Sequence, residues 1–211
     1  MFILGHAGIA LGTATVLTGL LAKAVPLRGQ TGHKLSSEKR VTGNYPSGHV
    51  ASWFTRLGSR RDIRLLLLGS LLPDIVDKPV GQVWFRETLA NGRIFCHTML
   101  FLVIMALAGL LRYRRNGGTG LLVVSFGVLT HLVLDQMWLW PPTLLWPLYG
   151  FAFPKVYIPG WLDRMWDALL SNPAIYVPEI IGGAVLVLFL WVLVRSGKLV
   201  RFIKSGRTTD A

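Results

Sequence analysis

Six ionisable side chains sit at the margins of long apolar runs: His6, Asp74, Asp77, His97, His131 and Asp135. A charge inside a bilayer costs several kcal/mol, so such groups mark functional positions. Their spacing says which can act together. His131 and Asp135 are i and i+4 and share a helical face. Asp74 and Asp77 are i and i+3 and share one too, if the helix continues past Pro73. Arg93 and His97 are again i and i+4. Carboxylates at a helix C-terminus oppose the helix dipole, so Asp74, Asp77 and Asp135 call for a nearby cation. Three imidazoles and three carboxylates suit one or two divalent metals, zinc first, with manganese or iron as alternatives. Such an ion lowers the pKa of a bound water and supplies a nucleophile. On this reading Asp74, His97, His131 and Asp135 hold metal. His6 is a ligand or an acid/base group, and Asp77 belongs to a second shell or a second metal. Arg93 steadies a phosphate or an oxyanion. Cys96, beside His97, is read as packing.

The elements that must position these groups are apolar. The 211 residues are 52% hydrophobic and 15% charged, against about a quarter charged in a soluble domain. Disorder is excluded, and so are disulfide-stapled and collagen-like folds, because there is one cysteine and no glycine period. Five apolar runs are expected to be helical spans: residues 2–22, 65–77, 94–111, 119–137 and 179–194. The first lacks the basic segment that precedes a signal peptide core and is read as a retained span. Trp138, Trp140, Trp146, Tyr149, Tyr157, Trp161, Trp166 and Tyr176 suit an interfacial aromatic layer. Short or re-entrant pieces are expected around 78–92 and 140–160. The fold class is all-α: a single polytopic membrane domain over 1–211, with a basic cytoplasmic loop at 23–64 and a basic tail at 195–211. In that loop Val50, Trp53, Phe54 and Leu57, beside Arg56, Arg60 and Arg61, read as a helix on an anionic membrane surface. His33 and His49 read as solvated loop residues.

The net charge of +12 fits nucleic acid or a membrane surface equally well until its distribution is examined. With five spans, all of the 22 Lys and Arg but Lys78, Arg86, Arg93, Lys155 and Arg164 fall on one side. The positive-inside rule makes that side cytoplasmic, with the N-terminus outside and the C-terminus inside. The basic balance is then a topology signal, and nucleic acid is not an expected partner. The six ionisable groups all land in the opposite, outer leaflet, although the charge count did not require it.

Four elements resemble the YdjM-like family, whose members are described as LexA-binding or inner-membrane-associated metal-dependent hydrolases. They are Leu-Leu-Pro-Asp-Ile-Val-Asp-Lys-Pro at 71–79, Gly-Arg-Ile-Phe-Cys-His-Thr at 92–98, His-Leu-Val-Leu-Asp at 131–135 and Leu-Trp-Pro-Leu-Tyr-Gly at 145–150. A histidine on the first helix, here His6, also fits. The resemblance covers roughly residues 1–23 and 65–155. It implies a helical integral membrane protein with a metal site at His6, Asp74, Asp77, His97, His131 and Asp135, and Arg93 in the basic position before His97. The motif is similar to that of zinc-dependent phospholipases C, which implies phosphoester chemistry. The chain departs from many relatives in two places. Val76 stands at the second acidic position, with Asp77 following it, and Gly92 stands where a histidine often precedes the arginine. The basic 24–63 stretch has no counterpart in the resemblance.

The function expected from these residues is hydrolysis of a lipid or another amphiphile, through a phosphoester, by a membrane-embedded metal enzyme. Trp138, Trp140 and Trp146 would line an entry from the bilayer. The expected partners are membrane lipid, a small amphiphilic substrate and a cytoplasmic protein on the basic loop. Two other classes compete: a proton- or ion-coupled transporter using the same Asp and His groups, and a non-enzymatic membrane scaffold.

Overall fold

A computed structural model describes residues 2–24, 62–156 and 161–208. The basic stretch 25–61, with its expected surface helix and with His33 and His49, lies outside the described residues, as does Tyr157. The described residues are helical and contain no strand. The α-helices in chain order are α1 (Ile3–Ala24), α2 (Ile63–Lys78), α3 (Met99–Asn116), α4 (Gly120–Leu134), α5 (Pro141–Leu144), α6 (Trp161–Ser171), α7 (Pro173–Arg195) and α8 (Leu199–Ser205). Five of them, α1, α2, α3, α4 and α7, fall on the five apolar runs.

Two of these helices are long and apolar enough to cross a bilayer: α1 over Ile3–Leu20, and α7 over Pro173–Arg195. The apolar α4 has 15 residues, a length of about 22 Å against a hydrocarbon core of about 30 Å. The 16-residue α2 carries Asp74 and Asp77, and the last turns of α3 carry Arg112, Arg114 and Arg115. Ile104, Leu107, Leu111, Ile180, Val187 and Val194 are each more than half exposed. Large apolar side chains facing outward on several helices suit a lipid-facing surface.

Glycines set the closeness of the packing. α1 crosses α7 at Gly8 and Gly182, where a Cβ on either residue would collide with the backbone of the other helix. α2 crosses α4 at Gly69 and Gly127 in the same way, a Cβ on Gly127 falling 2.6 Å from the Ser70 nitrogen. Small residues that let backbones touch are the usual basis of helix association in membranes, where lipid gives no hydrophobic drive. Leu11, Ala14, Ile63, Leu66, Phe189 and Leu193 fill the core at one end of this bundle, and Leu102, Val128, Leu132 and Met137 fill it toward the other.

Both helix ends near α8 are tied down. Asp62 caps α2 by accepting from the Arg64 backbone at 3.0 Å. The Arg64 guanidinium holds the Asp62 carboxyl below its usual pKa and also donates to the Ile203 carbonyl at 2.9 Å. The basic tail, expected only as a charged segment, therefore contains a helix docked on the start of α2, with Phe202 edge-on to Phe189.

Two boundaries differ from expectation. The third apolar run becomes α-helical only at Met99, after a 3-10 turn at Phe95–His97. The backbone N–H groups of Ile94, Cys96 and His97 all donate to Asp77, so they do not enter a helical ladder. Thr98 then caps α3 by accepting from Phe101 at 3.1 Å. Arg93 and His97 thus do not share a helical face. The last run starts earlier than expected: Asn172 caps α7 and Pro173 occupies its first turn. This brings Glu179 inside the helix.

Candidate metal centre

Five of the six residues are delivered by a helix end or by the turn that follows one. His6 is on the first turns of α1, Asp74 and Asp77 on the last turns of α2, His131 on the last turn of α4, and Asp135 is the α4 C-cap. His97 arrives from the other direction. The chain leaves α2 through a π-helical turn at Pro79–Trp84, and Asn91 ties the returning strand of chain to Pro154 by a 2.8 Å hydrogen bond. Asp77 completes the return by gathering three backbone N–H groups around His97.

His6, His97 and His131 are fully buried. Asp77 accepts from His97 Nδ1 at 2.7 Å, and the Ser70 carbonyl accepts from His131 Nδ1 at 2.7 Å. Both partners are acceptors, so each ring has a proton on Nδ1 and, when neutral, a lone pair on Nε2. Those two Nε2 atoms face each other at 3.1 Å. Two lone pairs at that distance repel unless a cation lies against both. Asp74 Oδ1 is 3.6 Å from one and 3.8 Å from the other, is buried, and has no hydrogen-bond partner. Asp135 Oδ2 is 3.9 Å from His97 Nε2. Ligand atoms of Asp74, His97, His131 and Asp135 all lie within 4.8 Å of one another. Around a tetrahedral zinc, ligand atoms sit about 3.3–3.6 Å apart. The donor set, the orphaned oxygen and the spacing therefore fit a divalent ion.

Asp77 and His6 flank this group of four. Asp77 is fully buried and gives its carboxylate to His97 Nδ1 and the 94–97 backbone, so it stands behind His97 and sets that ring's tautomer. Such carboxylate–histidine pairs raise ligand basicity. His6 stacks on His131 with ring centroids 4.0 Å apart. Its Nε2 is 3.1 Å from Asp135 Oδ1, but neither ring nitrogen makes an aligned hydrogen bond. Arg93 donates from Nε to Asp135 Oδ2 at 3.1 Å, and its Cζ lies 6.0 Å from the Trp140 ring. Trp146 stacks on Phe153 at 5.4 Å and meets Phe95 edge-on.

Lys78, next to Asp77 in the chain, bonds Asp74 at 2.6 Å. The i+4 spacing of Asp74 and Lys78 on α2 accounts for this. Glu179, outside the six residues that the sequence marks, breaks an otherwise uncharged run. It is buried in α7 and accepts from the Phe2 and Gly5 backbone at 2.6 and 3.0 Å. A carboxylate there satisfies orphan N–H groups and favours the α1 dipole, so it anchors the turn that carries His6.

Cys96 is 5% exposed. Burial pushes its thiol up to about 12, and the Asp77 carboxylate adds to this. The thiolate is the reactive form, so Cys96 is expected to resist maleimide labelling in the folded protein at neutral pH and to react only after unfolding. Rapid stoichiometric labelling of the native protein would contradict the packing described here.

A family model described as YdjM inner membrane protein matches residues 1–203. The matched range runs through the 24–63 stretch and α7, beyond the segments that carry the sequence resemblance. No curated protein and no solved structure matches the chain.

Proposed function

The chain belongs to the YdjM inner membrane protein family, and from that premise we propose that it is a membrane-embedded, metal-dependent hydrolase acting on a phosphoester of a lipid or another amphiphile. The observation that carries this reading is the 3.1 Å approach of His97 Nε2 and His131 Nε2, with both Nδ1 atoms already committed to acceptors. Asp74, His97, His131 and Asp135 would hold the ion, zinc first, with manganese or iron as alternatives. A divalent ion there supplies a water of lowered pKa as nucleophile.

The chain's own residues do the rest. Asp77 holds His97 in the tautomer that presents Nε2. Arg93 pins Asp135 and turns its remaining N–H groups toward substrate charge. His6, buried and without an aligned hydrogen bond, is the group placed to take or give a proton. The six residues lie between one end of the bundle and the 79–98 return. In the topology we propose, α1, α2, α3, α4 and α7 are five passes, the N-terminus is outside and the basic segments are cytoplasmic, which sets the site at the outer leaflet. Membrane lipid supplies the substrate, and the basic 24–63 stretch is left to a cytoplasmic protein.

The test is release of phosphate or headgroup from phosphomonoester and phosphodiester lipids by the purified, metal-loaded protein. Turnover is expected to stop on chelation and to disappear in Asp135→Ala. In His6→Gln, kcat is expected to fall about 10²–10⁴-fold with metal content unchanged. A metal-loaded protein that hydrolyses none of these lipids, yet drives cation or proton flux in liposomes, would replace this reading with the carrier.

A further inference from the structure

We propose that the cavity opening beside the metal-binding group receives the phosphate of a small polar head, and that phosphate and metal bind cooperatively there. This inference deepens the hydrolase reading and rests on it. The cavity measures about 340 Å³ and is lined by Lys78, Gln82, Asn91, Arg93, Trp140 and Thr143, among others. It contains two cationic side chains and no acidic one.

Each cation has one hand on the metal side. Lys78 Nζ bonds Asp74 Oδ2 at 2.6 Å, and Arg93 Nε bonds Asp135 Oδ2 at 3.1 Å. The Arg93 Nη groups make no hydrogen bond among the described residues, and Lys78 keeps two further N–H groups. Both sets are available to a ligand in the cavity. Arg93 is held ready: its backbone N–H donates to Asn91 Oδ1 at 2.9 Å, Asn91 is fixed to Pro154, and Trp140 lies beside the guanidinium. A guanidinium and an ammonium converging on one space match the oxygens of a tetrahedral oxyanion.

Charge couples the two sites. A divalent ion held by Asp74 and Asp135 adds two positive charges beside Lys78 and Arg93. An oxyanion is therefore attracted more strongly by the loaded site than by the metal-free one. Linkage makes the effect mutual, so phosphate must tighten metal as much as metal tightens phosphate. The volume is near the lower limit of ligand pockets, about 300–1,000 Å³. It takes a phosphate with a glycerol-sized group and leaves acyl chains to the bilayer. Gly92 lines the same cavity, and a Cβ there would fall 2.6 Å from Gln82 Nε2.

The experiment is a calorimetric titration of inorganic phosphate into the full-length protein in detergent, metal-loaded and metal-stripped, with bound metal counted in each sample. Phosphate binding is expected to be at least about 5-fold tighter in the loaded form, and saturating phosphate is expected to tighten metal by the same factor. Gly92→Val should keep its metal and lose at least tenfold in phosphate affinity. The inference is overturned if the loaded protein ignores phosphate, if stripped and loaded forms bind it equally, or if Gly92→Val binds it as the wild type does. A wild type that takes up no metal defeats the hydrolase reading and this inference together. Full metal with no phosphate effect defeats this inference alone. Glycerol 3-phosphate and phosphatidylcholine vesicles carrying phosphatidate identify the source. Tightening of metal by the free compound indicates a soluble phosphate, tightening by the vesicles alone indicates a lipid head, and either supports the pocket.

Discussion

Purified full-length protein is expected to carry one divalent ion per chain, zinc before manganese or iron, and to lose it when His97 or His131 is changed to Ala. The expectation follows from the facing Nε2 atoms, 3.1 Å apart, and the Asp74 Oδ1 within 3.8 Å of both that has no hydrogen-bond partner. Removing either imidazole leaves three of the four grouped residues. The double change His131→Ala/Asp135→Ala leaves two and should abolish binding outright. Asp77→Asn tests the layer behind the ligands. It keeps the size of the side chain but removes the charge that faces His97 Nδ1, and metal affinity should fall about 10–100-fold. Elemental analysis, beside thermal unfolding with and without added ion, measures both effects. Metal that binds only the folded state must raise the Tm. A folded wild type that stays metal-free after loading at neutral pH would reassign the same residues to a proton or ion relay.

The sequence exposes these residues because burial of an ionisable group in an apolar run is costly whatever the fold. That rule needs no knowledge of contacts, and it picks out His6, Asp74, Asp77, His97, His131 and Asp135, which the structure places side by side. The same rule applies to Glu179, the one acid in the last apolar run. Other parts of the site are invisible at the level of residue type. The acceptor for His131 is the backbone carbonyl of Ser70, which any residue could supply. Asp77 has its effect through the N–H groups of Ile94, Cys96 and His97, again without regard to side chain. That same gathering of backbone defeats the periodicity argument for Arg93 and His97, since the residues between them form an irregular return and a 3-10 turn. Helix existence was legible in five apolar runs. Helix ends were not, because they are fixed by Asp62, Thr98 and Asn172 acting as caps. α6 and α8 are short and mixed in polarity, and aromatic or basic content is the stronger signal in their segments.

Gly127→Ala should be among the most damaging single-methyl changes in the molecule, and Gly12→Ala should be harmless. Both glycines are in helices, where Ala is intrinsically favoured over Gly by about 1 kcal/mol. Their surroundings differ. A Cβ on Gly12 meets only the side chain of Val185, at 3.7 Å, an ordinary contact. A Cβ on Gly127 meets backbone: the Ser70 nitrogen at 2.6 Å, and the Gly69 carbon and Leu66 oxygen at 2.7 Å. No rotamer relieves a clash with main chain, so α2 and α4 must separate. Overpacking typically costs about 1–3 kcal/mol and sometimes more, which outweighs the propensity gain. The displacement falls on the site, because His131 is one turn beyond Gly127 and its Nδ1 is held by the carbonyl of Ser70. Gly127→Ala should therefore lower both the Tm and the metal content, whereas Gly12→Ala should leave metal content at the wild-type level with an equal or higher Tm. A Gly127→Ala protein with wild-type Tm and full metal would mean that this helix crossing can open without disturbing His131, and that the ligand geometry does not depend on it.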